Sequence, residues 1–182
     1  MNRSYFFERI GHALFGGKLT KTQVDGITRI LDYREARYPK MTDDQFAYLL
    51  ATVKWETAHT MIPVREMGGE RYLKTKEYFP WVGEGLVQVT WESNARKFGA
   101  KKPGDLMNWS IALHAVFAGM VKGMFTGKKL SDYISDGRAD YVGARRIING
   151  TDRAKLIARF AQAFRDALRQ SRRLDGASTK IS

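Results

Sequence analysis

Apolar residues recur at helical spacing in several separated stretches of the chain. In "TKTQVDGITRIL", Val24, Ile27, Ile30 and Leu31 share one face, and Thr20 with Gln23 three residues later forms a capping box at the start. The stretch "TDDQFAYLLATVKWETAH" repeats this grammar, with Thr42 and Gln45 as the box and Phe46, Leu49, Leu50 and Val53 as the stripe. A third helix is predicted over 110–124 and a short one from Ser131. The last is predicted from near Thr151 to near Leu174. It carries Ile157, Phe160, Ala161, Phe164 and Leu168 on one side, and Arg153, Lys155, Arg159, Arg165, Arg169, Arg172 and Arg173 elsewhere. Between 63 and 104 the texture changes to loops, with glycines at Gly68, Gly69, Gly83, Gly85 and Gly99. Only "GLVQVTW" there reads as a strand, Leu86, Gln88 and Thr90 alternating with Val87, Val89 and Trp91. The pattern predicts a mainly α fold with a small loop and β insert.

Length and composition narrow the classes. A chain of 182 residues suits one domain with a sizeable core, expected over 1–174, with "DGASTKIS" at 175–182 as a flexible tail. Without cysteine there are no disulfides, thiolate zinc sites or Cys nucleophiles. The apolar run at 111–121 is too short to span a bilayer. The opening "MNRSYFFERIGHALFGG" is broken by Glu8, Arg9 and His12 where a signal peptide needs an apolar core, so synthesis in the cytosol is expected. A net charge of +12 suits an anionic partner: nucleic acid, anionic lipid or envelope polymer. No zinc-finger or RNP-type motif is present and the aromatics lie within apolar patterns, so nucleic acid is not the expected partner.

Against this positive background, "WETAHTMIPVREMGGE" places Glu56, Glu66 and Glu70 within sixteen residues. At about 100° per residue, Glu56 falls about 20° from Leu49, on the edge of the buried stripe. A carboxylate there is partly desolvated, which disfavours its charged form and suits a general acid. A glutamate reaching past the helix end into water fits the wheel equally well. Glu56 and His59 have the Glu-x-x-His spacing of half a di-iron site, but no second copy exists. Trp55 stands where a zincin needs histidine. Neither metal nor cofactor is expected. Pro63 is expected to end the helix, which leaves Glu66 and Glu70 on a loop able to fold back toward Glu56. A pair of carboxyl groups is what glycoside hydrolysis asks for: one acid for the leaving oxygen, one carboxylate for water or the sugar. Gln88, Thr90 and Asn94 are polar groups able to line a sugar-binding groove.

The runs "AYLLATVKWETAHTMIPVREMGG", "GEGLVQVTWESN", "GMFTGKKLSDYI" and "ARRIINGTDRAKLIARFAQAF" resemble the family 19 glycoside hydrolases, specifically their chitinase-like endolysin branch of bacteriophages and prophages. The resemblance covers about 6–168. It implies a lysozyme-like, two-lobed helical fold with a glycan cleft between the lobes, and cofactor-free, inverting hydrolysis of a β-1,4 bond between amino sugars. Carried over, it makes Glu56 the acid and Glu66 the base, with Gln88, Thr90, Asn94 and Asn149 on the substrate. Glu70, Glu84 and Arg146 are expected as supports. Asn149 also reads as part of a helix-terminating turn with Gly150. Two positions depart from the family's pattern: Trp55 replaces its histidine, and Glu84 stands in Gly-Glu-Gly where the family has Gly-Arg-Gly. The implied substrate is the glycan of bacterial peptidoglycan, reached after holin-dependent release, by a monomer with an anionic envelope surface as a further partner. Chitin oligomers offer the same chemistry, and an inactive glycan-binding homologue would retain the same residues.

Overall fold

The computed structural model describes residues 1–135 and 137–178, with side chains to Asp175. In chain order it contains α1 (Arg3–Leu14), α2 (Lys21–Arg37), α3 (Asp43–Glu56), β1 (Val64–Arg65), α4 (Glu70–Leu73), β2 (Glu84–Gly85) and α5 (Glu92–Lys97). A 3₁₀ turn (Asp105–Met107) then leads to α6 (Trp109–Lys122), α7 (Leu130–Tyr133), β3 (Ile134–Ser135) and β4 (Arg138–Ala139). A second 3₁₀ turn (Gly143–Ile147) precedes α8 (Ala154–Ser178). The fold is mainly helical, and the strands form two short antiparallel ribbons, β1 with β2 and β3 with β4. No helix among the described residues is long and apolar enough to cross a membrane.

Local chemistry explains the helix starts. Thr20 caps α2 by accepting from the Gln23 N–H at 3.2 Å, while Gln23 Oε1 accepts from the Thr20 N–H at 2.9 Å. Thr42 and Gln45 do the same for α3. Each box satisfies orphan N–H groups of the first turn. Beyond its cap, α3 is buried without interruption from Phe46 to Lys54, so it is the central helix, with α8 as its main packing partner. Ile157, Ala161, Phe164 and Leu168 of α8 are fully buried against it, and Phe6 and Ile10 of α1 complete this side of the core. Asp43 and Asp44 in the first turn of α3 suit the positive end of the helix dipole. They also tie α3 to its neighbours, with Arg34 of α2 at 2.8 Å from Asp43, Arg172 at 2.8 Å from Asp43 and Arg169 at 2.7 Å from Asp44.

Three sequence expectations change. Helix α3 ends at Glu56, before Pro63, because Thr57 takes over its last turn: Thr57 Oγ1 donates to the Val53 carbonyl at 2.7 Å and accepts from the Met61 N–H at 3.0 Å. Ala58, His59 and Met61 then adopt positive φ, which no helix continues through. Gly26 of α2 lets this loop approach, since a Cβ there would overlap the Met61 carbonyl. Second, "GLVQVTW" is not a continuous strand, since β2 ends at its first residue, Gly85. Gly85 and Gln88 have φ of +88° and +53°, so the chain reverses, and Glu84 and Val89 exchange backbone hydrogen bonds across the reversal. Leu86, Val87 and Val89 are all buried, which a two-faced strand would not allow. Third, α8 continues to Ser178, past Leu174 and into the segment expected as a tail, whose residues 179–182 lie outside those described.

One core position is electrostatically unfavourable. Lys54 is 1% exposed, and no carboxylate among the described residues pairs with its Nζ. Its amine instead lies 4.6 Å from the Phe15 ring centroid, 4.5 Å from that of Phe160, and 2.6 Å from His59 Nδ1. Burial pushes Lys54 down to about 8, and desolvation followed by the charge on Lys54 pushes His59 down as well. A base whose folded value is lowered costs stability at pH below that value, and the cost fades as pH rises toward the unfolded value of 10.5. Lys54→Met is therefore expected to stabilise the protein at pH 7 by roughly 1–3 kcal/mol, the two aromatic contacts offsetting part of the desolvation. The gain over wild type, measured by denaturant unfolding, should shrink between pH 8 and 10.5. A gain independent of pH would show that packing rather than charge sets it.

Candidate active site

The end of α3 delivers Glu56 to the wall of a groove of about 300 Å³ that also meets the 87–98 segment, Met124 and Phe125 after α6, and Ile148 with Asn149 before α8. Glu56 is 14% exposed at its side chain. It is not a lone carboxylate: Arg145 Nη1 donates to its Oε1 at 2.6 Å, and Arg145 is itself only 2% exposed. Arg145 Nε donates to the Asp152 carbonyl at 3.0 Å, which fixes the plane of the guanidinium. With Oε1 taken, Oε2 is the oxygen of Glu56 without a protein hydrogen-bond partner among the described residues.

Glu66 is placed by the β1/β2 ribbon. Pairing of Val64 with Gly85 and Arg65 with Glu84 brings the residue after β1 beside the residue before β2. The Glu66 N–H donates to the Gly83 carbonyl at 2.6 Å, and the Gly83 N–H donates to Glu66 Oε2 at 3.0 Å. The Tyr78 hydroxyl donates to Oε1 at 2.9 Å, and this bond is the main cause that pushes Tyr78 up. Both oxygens of Glu66 are thus oriented by donors, one from backbone and one from phenol.

Gln88, Thr90, Asn94 and Asn149 all line the groove with Glu56. Gln88 Nε2 donates to the Val64 carbonyl at 3.0 Å, Thr90 Oγ1 to the Gln88 carbonyl at 3.1 Å, and Asn94 Nδ2 to the Thr90 carbonyl at 3.0 Å. The face of Gly83 shows how these groups converge. A Cβ built there would lie 2.9 Å from Gln88 Oε1, 3.4 Å from Glu66 Oε2 and 3.4 Å from Thr90 Oγ1. Gly83 therefore leaves space at the point where the second carboxylate meets two polar groups of the groove. Trp91, 46% exposed and at φ +76°, stands at the rim with its ring edge-to-face against Tyr78, the centroids 5.6 Å apart.

Three expected supports lie elsewhere. Glu70 opens the short α4, is 70% exposed at its side chain, and pairs with Lys74 one turn on at 3.2 Å. Glu84 is buried, but its Oε2 accepts from the Gly104 N–H at 2.9 Å and its Oε1 lies 3.9 Å from Arg65 Nε. Burial pushes Glu84 up, and the Gly104 bond partly counters this. Glu84 thus anchors the loop before the first 3₁₀ turn rather than facing the groove. The cation at Glu56 is Arg145, not Arg146, whose side chain is exposed while its carbonyl accepts from Thr126 at 2.7 Å. Two adjacent arginines in "ARRIING" look alike in sequence, and only the direction of the 3₁₀ turn separates them. Tyr78, Gly83 and Trp91 were also missed. The close glycines around position 84 were the one available hint that backbone must approach something there.

His59 and Glu56 diverge, one toward Lys54 and the other toward Arg145, and no group of three or more His, Asp or Glu suited to a metal ion occurs among the described residues. The arrangement can instead do proton chemistry: one carboxylate beside a buried cation, a second oriented by donors, and amide and hydroxyl groups between. Removing one partner of a buried ion pair leaves an uncompensated charge, so Arg145→Met is expected to cost about 3 kcal/mol in denaturant unfolding. Replacing both partners, Arg145→Met with Glu56→Leu, should recover most of that loss. Equal destabilisation of the single and double variants would show that Arg145 contributes by packing alone. Comparison of the chain with protein-family models, with curated proteins and with solved structures finds no match in any of the three.

Proposed function

We propose that this protein hydrolyses β-1,4 bonds in the glycan strands of bacterial peptidoglycan by an inverting general acid/base route, as an endolysin of the family 19 glycoside hydrolase type. The observation that carries the reading is the sharing of Gln88 and Thr90 by two carboxylates: they line the groove with Glu56, and they meet Glu66 at the face of Gly83. The sequence resemblance to family 19 enzymes points the same way. In this reading the helices around α3 and α8 form one lobe of a lysozyme-like plan, and the 64–98 segment forms the other.

The chemistry follows from the donors. Glu56 gives a proton from Oε2 to the glycosidic oxygen as the bond to the anomeric carbon breaks, and Arg145 stabilises the carboxylate left behind. A water held by Gln88 Oε1 and Thr90 Oγ1 attacks the opposite face of the sugar and loses its proton to Glu66. Tyr78 and the Gly83 N–H keep Glu66 turned toward that water. Attack on the opposite face asks for carboxyl groups roughly 6.5–9.5 Å apart, wide enough for the water. Asn94 and Asn149 supply amide contacts for sugar hydroxyl and acetamido groups, and the exposed face of Trp91 suits an apolar sugar face. The net positive charge of +12 concentrates the enzyme on an anionic wall.

Glu56→Gln and Glu66→Gln should each lower clearing of outer-membrane-stripped Gram-negative cells by at least about a hundredfold. Both should still be folded by circular dichroism at the assay temperature, although Glu56→Gln, which leaves Arg145 without its anion, unfolds at lower denaturant. More than about a tenth of wild-type activity in Glu56→Gln would remove it from the acid role. Gly83→Ala should also lose at least about tenfold, because its methyl group occupies the meeting point of Gln88, Glu66 and Thr90, and misplacement on this scale is costly. Wild-type protein that sediments with walls without clearing them would identify a glycan-binding protein instead. Release of soluble products from chitin oligomers but not from peptidoglycan would reassign the substrate.

A further inference from the structure

Three cations toward the C-terminal end of α8 are paired: Arg165 with Asp166 at 2.9 Å, Arg169 with Asp44 at 2.7 Å, and Arg172 with Asp43 at 2.8 Å, a carboxylate it shares with Arg34. At the other end Lys155 and Arg159 form no ion pair among the described residues. Arg153 has only the exposed Asp152 at 3.9 Å, and its guanidinium lies 5.8 Å from the centroid of Trp55. These three cations line an open depression of about 480 Å³, and the described residues that line it include no carboxylate. The rest of the lining is mostly apolar, with Leu156 and the 45% exposed Val142, and Thr151 adds a hydroxyl.

The depression is joined to the groove by covalent and packed neighbours. Asn149 lines the groove and Thr151 lines the depression two residues later. Trp55, under Arg153, precedes Glu56, and Arg145 holds both Glu56 and the Asp152 carbonyl. A polymer lying in the groove therefore has a cationic, partly aliphatic recess beside it.

We propose that this recess binds the carboxylate end of the short aliphatic peptide carried by peptidoglycan glycan, a D-alanyl carboxylate or its equivalent. This rests on the glycan reading of the groove. Lys155 and Arg159 meet the carboxylate, Val142 and Leu156 take the alanyl methyl groups, and Thr151 is available to the peptide amide. Exposed charge pairs are individually weak, so the recess adds a modest, salt-sensitive preference for peptide-bearing strands rather than tight binding. A lipid surface is the less suitable ligand, because a flat anionic plane calls for a continuous row of free cations along the helix, and Arg169 and Arg172 are already held by α3.

The test uses the full chain and the double variant Lys155→Gln with Arg159→Gln, both positions exposed and outside the catalytic groove. N-acetyl-D-alanyl-D-alanine is titrated by NMR at low salt, and turnover is measured on intact sacculi and on glycan strands stripped of peptide by an amidase. The expected result is millimolar dipeptide binding by wild type, weakened at least about fivefold in the double variant. KM should rise about fivefold on sacculi and stay unchanged on bare glycan. Unchanged dipeptide binding and KM in the double variant would overturn the proposal, as would an equal rise in KM on both substrates. Absence of dipeptide binding, with binding to anionic phospholipid vesicles that the double variant loses, would also overturn it and assign the recess to lipid. If wild type cleaves neither substrate while the dipeptide still binds and the variant loses it, the hydrolase reading fails and the recess stands.

Discussion

The buried ion pair of Glu56 and Arg145 is the contact on which the arrangement turns, because neither charge tolerates its position without the other. Removing a guanidinium from water is expensive unless its donors are satisfied, and here two of them are spent on Glu56 and on the Asp152 carbonyl. That requirement locks the end of α3 to the 3₁₀ turn at 143–147 and to the loop that starts α8. Since α3 and α8 also form the main helix contact, the pair and the apolar core reinforce one geometry. Asn149 reaches the groove because the turn that carries Arg145 is held in this way.

The placement of Glu66 depends on a smaller device. Two residue pairs of β1 and β2 suffice to set Glu66 beside Gly83, and the backbone N–H of Gly83 then orients the carboxylate. The reversal at 85–88 uses positive φ at Gly85 and Gln88, a strain that brings a long polar side chain over the glycine. Fixed, oriented polar groups are what proton transfer at a bound molecule would use. The buried Glu84 contributes by holding the loop at Gly104 to β2, a structural role for an anion.

Charge elsewhere is distributed by use. Acidic residues at the start of α3 pair with Arg169 and Arg172 of α8, while Arg153, Lys155 and Arg159 line the depression near the start of that helix. Lys54 shows the opposite case, a cation kept in the core by two aromatic faces and a histidine. The first distribution keeps its cations in water, whereas the second costs stability.

What the sequence by itself determined is what depends on neighbours a few residues apart. The capping boxes of Thr20 and Thr42 span three residues, and the stripes of α2, α3, α6 and α8 repeat every turn, so local sterics and hydrogen bonding specify them. Candidate groove residues were legible as residue types. Their assembly was not, since Glu56, Gln88 and Asn149 come to one groove, and Glu66 to Gly83 beside Gln88, only when segments far apart in the chain pack together. The tertiary structure also decided which arginine faces Glu56, because Arg145 and Arg146 differ only in which side of a 3₁₀ turn packs inward. It turned Glu84 toward Gly104, a partner twenty residues away, and it folded an apparent strand into a reversal whose apolar residues are all buried. In each case the deciding energy is burial and pairing between distant segments, to which a periodicity along one segment is blind.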